Sequence, residues 1–141
     1  MNKKYLIIIA DYYKDISKGL LKSAKDILPK STSIKIIKVP GVFEIPVTIS
    51  KNIKKYDAFI ALGCVIKGQT PHFDLICSST FNSIMSLSIN FNKPIGNGII
   101  TAYNINQALQ RCKNTMSKKP NKGSEAANAV ISILQNGLKK F

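Results

Sequence analysis

Acidic side chains are scarce in this sequence: seven Asp and Glu stand against 21 Lys and Arg, for a formal net charge of +14. Histidine occurs once, at His72, arginine once, at Arg111, and glutamate twice, at Glu44 and Glu125. Only Cys64, Cys77 and Cys112 carry thiols. An odd number without CxxC spacing argues against a zinc site or a disulfide framework and makes a reducing cytoplasm the default. Free buried thiols are the plain expectation. Long hydrophobic runs are missing as well. None reaches the roughly 18 residues of a membrane span. The N-terminal run Tyr5-Leu6-Ile7-Ile8-Ile9-Ala10 is short, lacks a small-residue cleavage site and leads into Asp11, so it reads as a buried strand and not as a signal peptide.

A charge this positive has two readings. One is a nucleic acid or an anionic surface as partner. The other is codon bias: 20 Lys accompany 22 Ile and 12 Asn, the residues an AT-rich genome over-produces. The lysines are spread along the whole chain with no dense block, and no nucleic-acid-reading motif accompanies them. Neither nucleic acid nor membrane is expected as a partner. Where nearly every cation is Lys, the lone Arg111 stands out as a residue used for something an ammonium does poorly.

With 141 residues, 45% hydrophobic and 20% charged, the chain is expected to form one domain with its own core over residues 1–141. Residues 5 to 10 read as a first buried strand. Ile16, Leu20, Ala24, Ile27 and Leu28 recur at helical spacing over 15 to 28, and Pro29 with Ser31-Thr32-Ser33 ends that helix. Ile34, Ile36 and Ile37 give a second strand, stopped at Val39-Pro40-Gly41. A short helix is predicted over about 44 to 54, with Pro46 tolerated in its first turn. Asp57 to Ile66 is a third strand. Residues 73 to 90 form a long helix with Ile76, Phe81, Ile84, Met85 and Leu87 as core candidates. Pro94 to Ile100 is a fourth strand, interrupted by Gly96 and Gly98. Helices at about 104 to 115 and 122 to 138 follow. Strands alternating with helices predict an α/β fold, a three-layer α/β/α arrangement around a four-stranded parallel sheet.

Ligands in such sheets sit at the carboxyl ends of the strands. Asp11-Tyr12-Tyr13, Glu44 and His72 all fall there. The loop Lys67-Gly68-Gln69-Thr70-Pro71-His72 runs into a helix, so its free N–H groups and the Thr70 hydroxyl suit a phosphate. Thr70 equally suits a simple N-cap with Pro71 as the first helical residue. His72 is either a surface histidine or a general acid/base. Its place in the first helical turn disfavours positive charge and suits a neutral proton shuttle. Arg111 is either a bidentate phosphate clamp or part of a solvated helix face. Glu44 can accept hydrogen bonds from sugar-like hydroxyls, or merely complement a helix dipole. Tyr12 and Tyr13 can stack on a flat heterocycle or close the core's edge. Asn121 is a plausible N-cap of the last helix.

Five segments in order carry a more specific signal. The chain reads VPGVFEIP at 39–46, GCVIKGQTPHFD at 63–74, PIGNGIIT at 94–101, QALQR at 107–111 and NKGSEAA at 121–127. Their sequence and spacing resemble the lumazine synthase family over nearly the whole chain. The resemblance implies a flavodoxin-like fold and the condensation of 5-amino-6-(D-ribitylamino)uracil with 3,4-dihydroxy-2-butanone 4-phosphate, with no cofactor and no metal. By position, it implies His72 as the proton-transferring residue. It implies Tyr12, Val42, Phe43, Glu44, Cys64, Val65, Ile66 and Asn97 around the pyrimidine and ribityl chain. Gln69, Thr70, Arg111 and Lys122 would surround the phosphate. Arg111 and the fourth-strand residue would come from a neighbouring subunit of a homo-oligomer, with riboflavin synthase as a candidate partner. A non-catalytic flavin- or lumazine-binding oligomer is the alternative.

Four departures stand out. Tyr12 replaces the usual stacking Phe. Asn97 occupies a position where many members carry an aromatic or aliphatic residue. Lys67 replaces an Arg, and Asp11 a basic residue. Two features favour a free pentamer over a sixty-subunit shell: the chain starts about four residues before its first strand, and the stretch between Arg111 and Asn121 looks about three residues longer than in shell-forming members.

Overall fold

The computed structural model describes residues 2–113 and 120–136. Four strands, β1 (Lys4–Ala10), β2 (Ser33–Val39), β3 (Ala58–Ile66) and β4 (Ile95–Ala102), form one parallel sheet in the order β2-β1-β3-β4. Helices α1 (Lys14–Ile27), α2 (Ile45–Asn52), α3 (His72–Phe91), α4 (Ile105–Gln110) and α5 (Lys122–Gln135) connect and cover it, and a 3₁₀ turn at Val42–Glu44 precedes α2. This is the expected three-layer, flavodoxin-like arrangement.

The alternation of side chains along each strand sorts the core into two halves. Tyr5, Ile7, Ile9, Ile60 and Leu62 pack against α1, α4 and α5. Leu6, Ile8, Phe59 and Ala61 pack against α2 and α3. β1 and β3 are interior strands covered on both faces, which is why their sequences are continuously apolar and not alternating. Each fully buried Ile or Leu there contributes about 1.5–3 kcal/mol. β2 is an edge strand with only exposed and half-buried positions, and Lys35 and Lys38 lie on it. Lysines on an edge discourage pairing with another sheet.

Several predicted boundaries shift. β4 runs two residues past Ile100, to Ala102. α4 stops at Gln110, and Arg111 is its C-cap rather than an interior residue. The last helix is described as far as Gln135, so its predicted end at 138 lies outside the described residues, as do positions 114–119 of the stretch between Arg111 and Asn121. The N-cap of α3 is Pro71, not Thr70. Thr70 Oγ1 instead accepts the His72 N–H in a long bond of 3.4 Å. Asn92 closes α3 in the left-handed region, with φ 53°.

The core of α3 also differs from the prediction. Ile84 is buried, and Ile76, Phe81 and Leu87 are partly so. Met85, read as core, is 61% exposed. An apolar residue at helical spacing joins the core only where a second layer lies over it, and Met85 faces away from the sheet. Leu75, Ile89 and Phe91 of the same helix are likewise exposed. Among the described residues, no helix is long and apolar enough to cross a membrane.

Candidate active site

In a parallel sheet all strand carboxyl ends lie along one edge, so the segments after β1, β2, β3 and β4 gather there. Backbone bonds beyond the strands hold that edge together: Asp11 N–H donates to the Val39 carbonyl (3.2 Å) and Lys67 N–H to the Ala102 carbonyl (2.9 Å). The Ser17 hydroxyl donates to the Ala10 carbonyl, fixing α1 to the end of β1.

After β1, Tyr12 is exposed and meets Tyr13 edge to face, with ring centroids 4.9 Å apart. Tyr13 packs against the core, and burial, with Cys64 and Tyr12 nearby, raises its phenol above the usual range. Asp11 is held below the usual carboxylate range, chiefly by its hydrogen bond from Lys14.

After β2, Val42 is buried, Phe43 is exposed and Glu44 is half-buried. Gly63 explains how this segment sits on the sheet. A Cβ there would lie 2.9 Å from Val42 Cγ2 and 3.1 Å from Ala10 Cβ, so only glycine lets the 42–44 turn rest on β3. The Glu44 carboxylate folds back over Gly41, within 3.1 Å of where a Cβ would stand. Phe43 and Glu44 line a cleft of about 330 Å³ with Pro46, Val47 and the α3 residues Ser79, Thr80 and Ser83. Thr80 is buried there, and no hydrogen bond reaches its hydroxyl.

At the end of β3, Cys64 is buried while Val65 and Ile66 are half-buried. Burial, with Cys112 nearby, pushes the Cys64 thiol up to about 12. Gln69, Thr70 and His72 are exposed on the loop and first turn beyond.

A second, larger cleft of about 630 Å³ opens beside β4 and contains both Arg111 and Lys122. Thr101 and Ala102 line it from β4, Tyr103 from the turn that follows, Gln107 and Gln110 from α4, and Phe73 and Phe81 from α3. Local hydrogen bonds hold its cations. The Lys122 backbone N–H donates to the Arg111 carbonyl at 2.7 Å. Asn121 accepts from the Gly123 and Ser124 N–H groups, the predicted N-cap, and donates from Nδ2 to the Lys113 carbonyl. The Lys122 ammonium lies 3.4 Å from the Glu125 carboxylate. On β4, Asn97 is half-buried and accepts the Ile99 N–H at 3.1 Å.

Within one chain, then, Arg111 and Lys122 share a cleft, and Phe43 and Glu44 share another. The two groups do not line the same one. His72 opens α3, and the next residue, Phe73, reaches the cation cleft. Tyr103, Gln107 and Phe73 were not singled out from sequence. Reading β4 as ending at Ile100 hid Tyr103, whereas the Asn104–Gln107 pair did carry a signal. Asn104 Oδ1 accepts the Gln107 N–H, and Gln107 Oε1 accepts the Tyr103 N–H, a variant of the reciprocal cap.

Comparison with known proteins agrees with these motifs. The sequence profile of the family described as 6,7-dimethyl-8-ribityllumazine synthase matches residues 2–136. A protein of that name from Bartonella bacilliformis is 39% identical over 138 residues, covering 94% of this chain and 91% of its own. One from Campylobacter jejuni is 40% identical over 139 residues, covering 94% and 88%. One from Limosilactobacillus reuteri is 36% identical over 132 residues, covering 91% and 85%.

Proposed function

Since the chain belongs to the 6,7-dimethyl-8-ribityllumazine synthase family, we propose that its active sites lie between neighbouring chains, each built from the two halves described above. The enzyme is a transferase of riboflavin biosynthesis. It condenses 5-amino-6-(D-ribitylamino)uracil with 3,4-dihydroxy-2-butanone 4-phosphate to 6,7-dimethyl-8-ribityllumazine. The 5-amino group attacks the ketone and loses water to form an imine, phosphate leaves, and the second amine closes the ring with loss of another water.

In this reading one chain supplies Tyr12, the Val42–Glu44 turn and the β3 end Cys64–Ile66 to the pyrimidine and its polyol chain. Its Gln69 and Thr70 face the phosphate, and His72 moves protons during imine formation and elimination. The neighbour supplies Arg111, Lys122 and Asn97. The guanidinium neutralises the phosphate and assists its departure. Because the chemistry is facile, positioning carries much of the catalysis. The observation that carries the reading is the separation of Glu44 and Arg111 into two clefts of the same chain. A single chain offers only half a site to a substrate pair that needs both. The exposed apolar residues of α3, Leu75, Met85, Ile89 and Phe91, support a covered interface. The protein is a homo-oligomer, and a free pentamer in the cytoplasm is the form we favour, with riboflavin synthase as a candidate partner.

Subunit mixing tests this. His72→Ala chains alone should turn over slowly, and Arg111→Ala chains alone should use the phosphate substrate poorly. Co-assembled in equal amounts, they should regain roughly a quarter of the native sites, because a closed ring pairs intact halves at random. Activity is followed by lumazine fluorescence. No gain on mixing would mean that each chain completes its own site, and binding of lumazine without any turnover would point to a carrier instead.

A further inference from the structure

Arg111 and Lys122 are the charged residues that line the larger cleft. One of those charges is already engaged, because the Lys122 ammonium lies 3.4 Å from the Glu125 carboxylate. The lining therefore offers a net charge near +1. A phosphate monoester near neutral pH carries about −1.5 to −2. A further cation would bring the lining closer to the charge of the ester.

Lys67 lies beside the cleft, against one of its lining residues. It directly follows β3, and its backbone N–H is tied to the Ala102 carbonyl at 2.9 Å. Its ammonium lies 5.3 Å from the centroid of the Tyr103 ring, and Tyr103 itself lines the cleft. Tyr103 is 68% exposed, so core packing does not account for an aromatic there. Its ring instead holds the ammonium at the rim by a cation–π contact. Among the described residues no carboxylate pairs with Lys67, in contrast to Lys14, Lys22 and Lys122. Its charge is thus available to a ligand, and the tether at both ends reduces the entropy lost when it engages one.

We propose that Lys67, positioned by Tyr103, is a third cation of the phosphate site, matching the charge of the dianionic ester in the cleft that holds Arg111 and Lys122. This rests on the reading that those two residues bind the phosphate. Lys67 then acts on capture of the keto-phosphate and not on the amine, and Tyr103 is a positioning residue.

The test measures KM for each substrate and inhibition by inorganic phosphate in the assembled enzyme. Lys67→Gln should raise both the keto-phosphate KM and the phosphate inhibition constant about three- to five-fold, a modest effect because the site is a solvated rim. The amine KM should not move. Lys67→Arg should retain native values. Tyr103→Phe should also retain them, since the ring face remains, while Tyr103→Leu should reproduce part of the Lys67→Gln defect. Arg111→Ala is the control. If Arg111→Ala weakens phosphate inhibition and Lys67→Gln does not, the third cation is refuted while the site stands. Equal changes in both substrates' KM would make Lys67 merely structural and would overturn the proposal as well. If Arg111→Ala leaves phosphate inhibition unchanged, the site reading fails and takes this inference with it.

Discussion

A guanidinium presents parallel N–H donors to two phosphate oxygens, and an ammonium presents a point charge. In a chain with 20 Lys and one Arg, that difference is concentrated at Arg111. Arg111→Lys should raise the keto-phosphate KM about ten-fold, the lower end of what a charge-assisted contact is worth, while the amine KM stays within two-fold (about 0.4 kcal/mol). Steady-state kinetics with each substrate varied in turn checks this, and parallel changes in both would count against the clamp. Cys64 gives a prediction of another kind. Burial, then the nearby Cys112, raises its thiol from 9.0 to about 12. Between those values the unfolded chain has released a proton that the folded chain keeps. Its contribution to stability is therefore complete below 9.0 and is lost as the pH climbs toward 12. Cys64→Ala should lower stability at neutral pH by leaving a cavity, yet flatten the alkaline decline relative to native protein. Urea midpoints across that range give the answer. Tyr5 and Tyr13, also raised chiefly by burial, leave a residual slope in both proteins.

At the scale of elements, close approach of backbone to backbone aligns the larger cleft. α5 begins with Lys122 and lies on β4 at Gly96 and Gly98. A Cβ at Gly96 would stand 2.9 Å from the Ala126 carbonyl carbon and equally close to Val130 Cγ2. Gly96→Ala must therefore push α5 off the sheet. The expected cost is about 1–3 kcal/mol, read from chemical denaturation, with a rise in the keto-phosphate KM because Lys122 moves with the helix. Native stability in this variant would mean that α5 tilts freely and does not fix the cleft. The glycines were legible in the sequence only as interruptions of the fourth strand. Their reason, the Ala126 carbonyl of α5 pressed against Gly96 and β3 with the Ala126 methyl pressed against Gly98, required the packed layers. Element identity was easier to read. The β-branched run of β1 and the 3.6-residue spacing of Ile16, Leu20 and Ala24 point to one local structure each. Met85 fits the same spacing and is nevertheless exposed, because spacing reports where a side chain points relative to its own helix and not what lies opposite.

At the scale of the molecule, α3 is the feature that a single chain leaves unfinished. It is 20 residues long, with Thr80 and Ile84 its only buried residues among those described, while Leu75, Met85 and Ile89 face outward and Phe91 is exposed at its last residue. Exposed apolar groups of this kind mark an interaction surface, which fits the proposed interface between chains. Replacing Met85 and Ile89 together by Asp should split the assembly, and activity should fall with it, since the proposed site spans two chains. Analytical sedimentation of the native protein should give a five-subunit particle, and of the variant a smaller one. A megadalton native particle would refute the pentamer, and a fully active dissociated chain would refute the shared site.

The order of strands and helices, the parallel sheet and the five family motifs follow from the linear sequence, because each depends on residues near one another in the chain. Folding alone decided which groups share a space. Arg111 and Lys122 meet through a backbone hydrogen bond, Val42 reaches β3 over Gly63, and Lys67 finds Tyr103 across adjacent strand ends. Local patterns determine which way a side chain points along its own element. What it meets there depends on how the layers stack, and no local pattern encodes that.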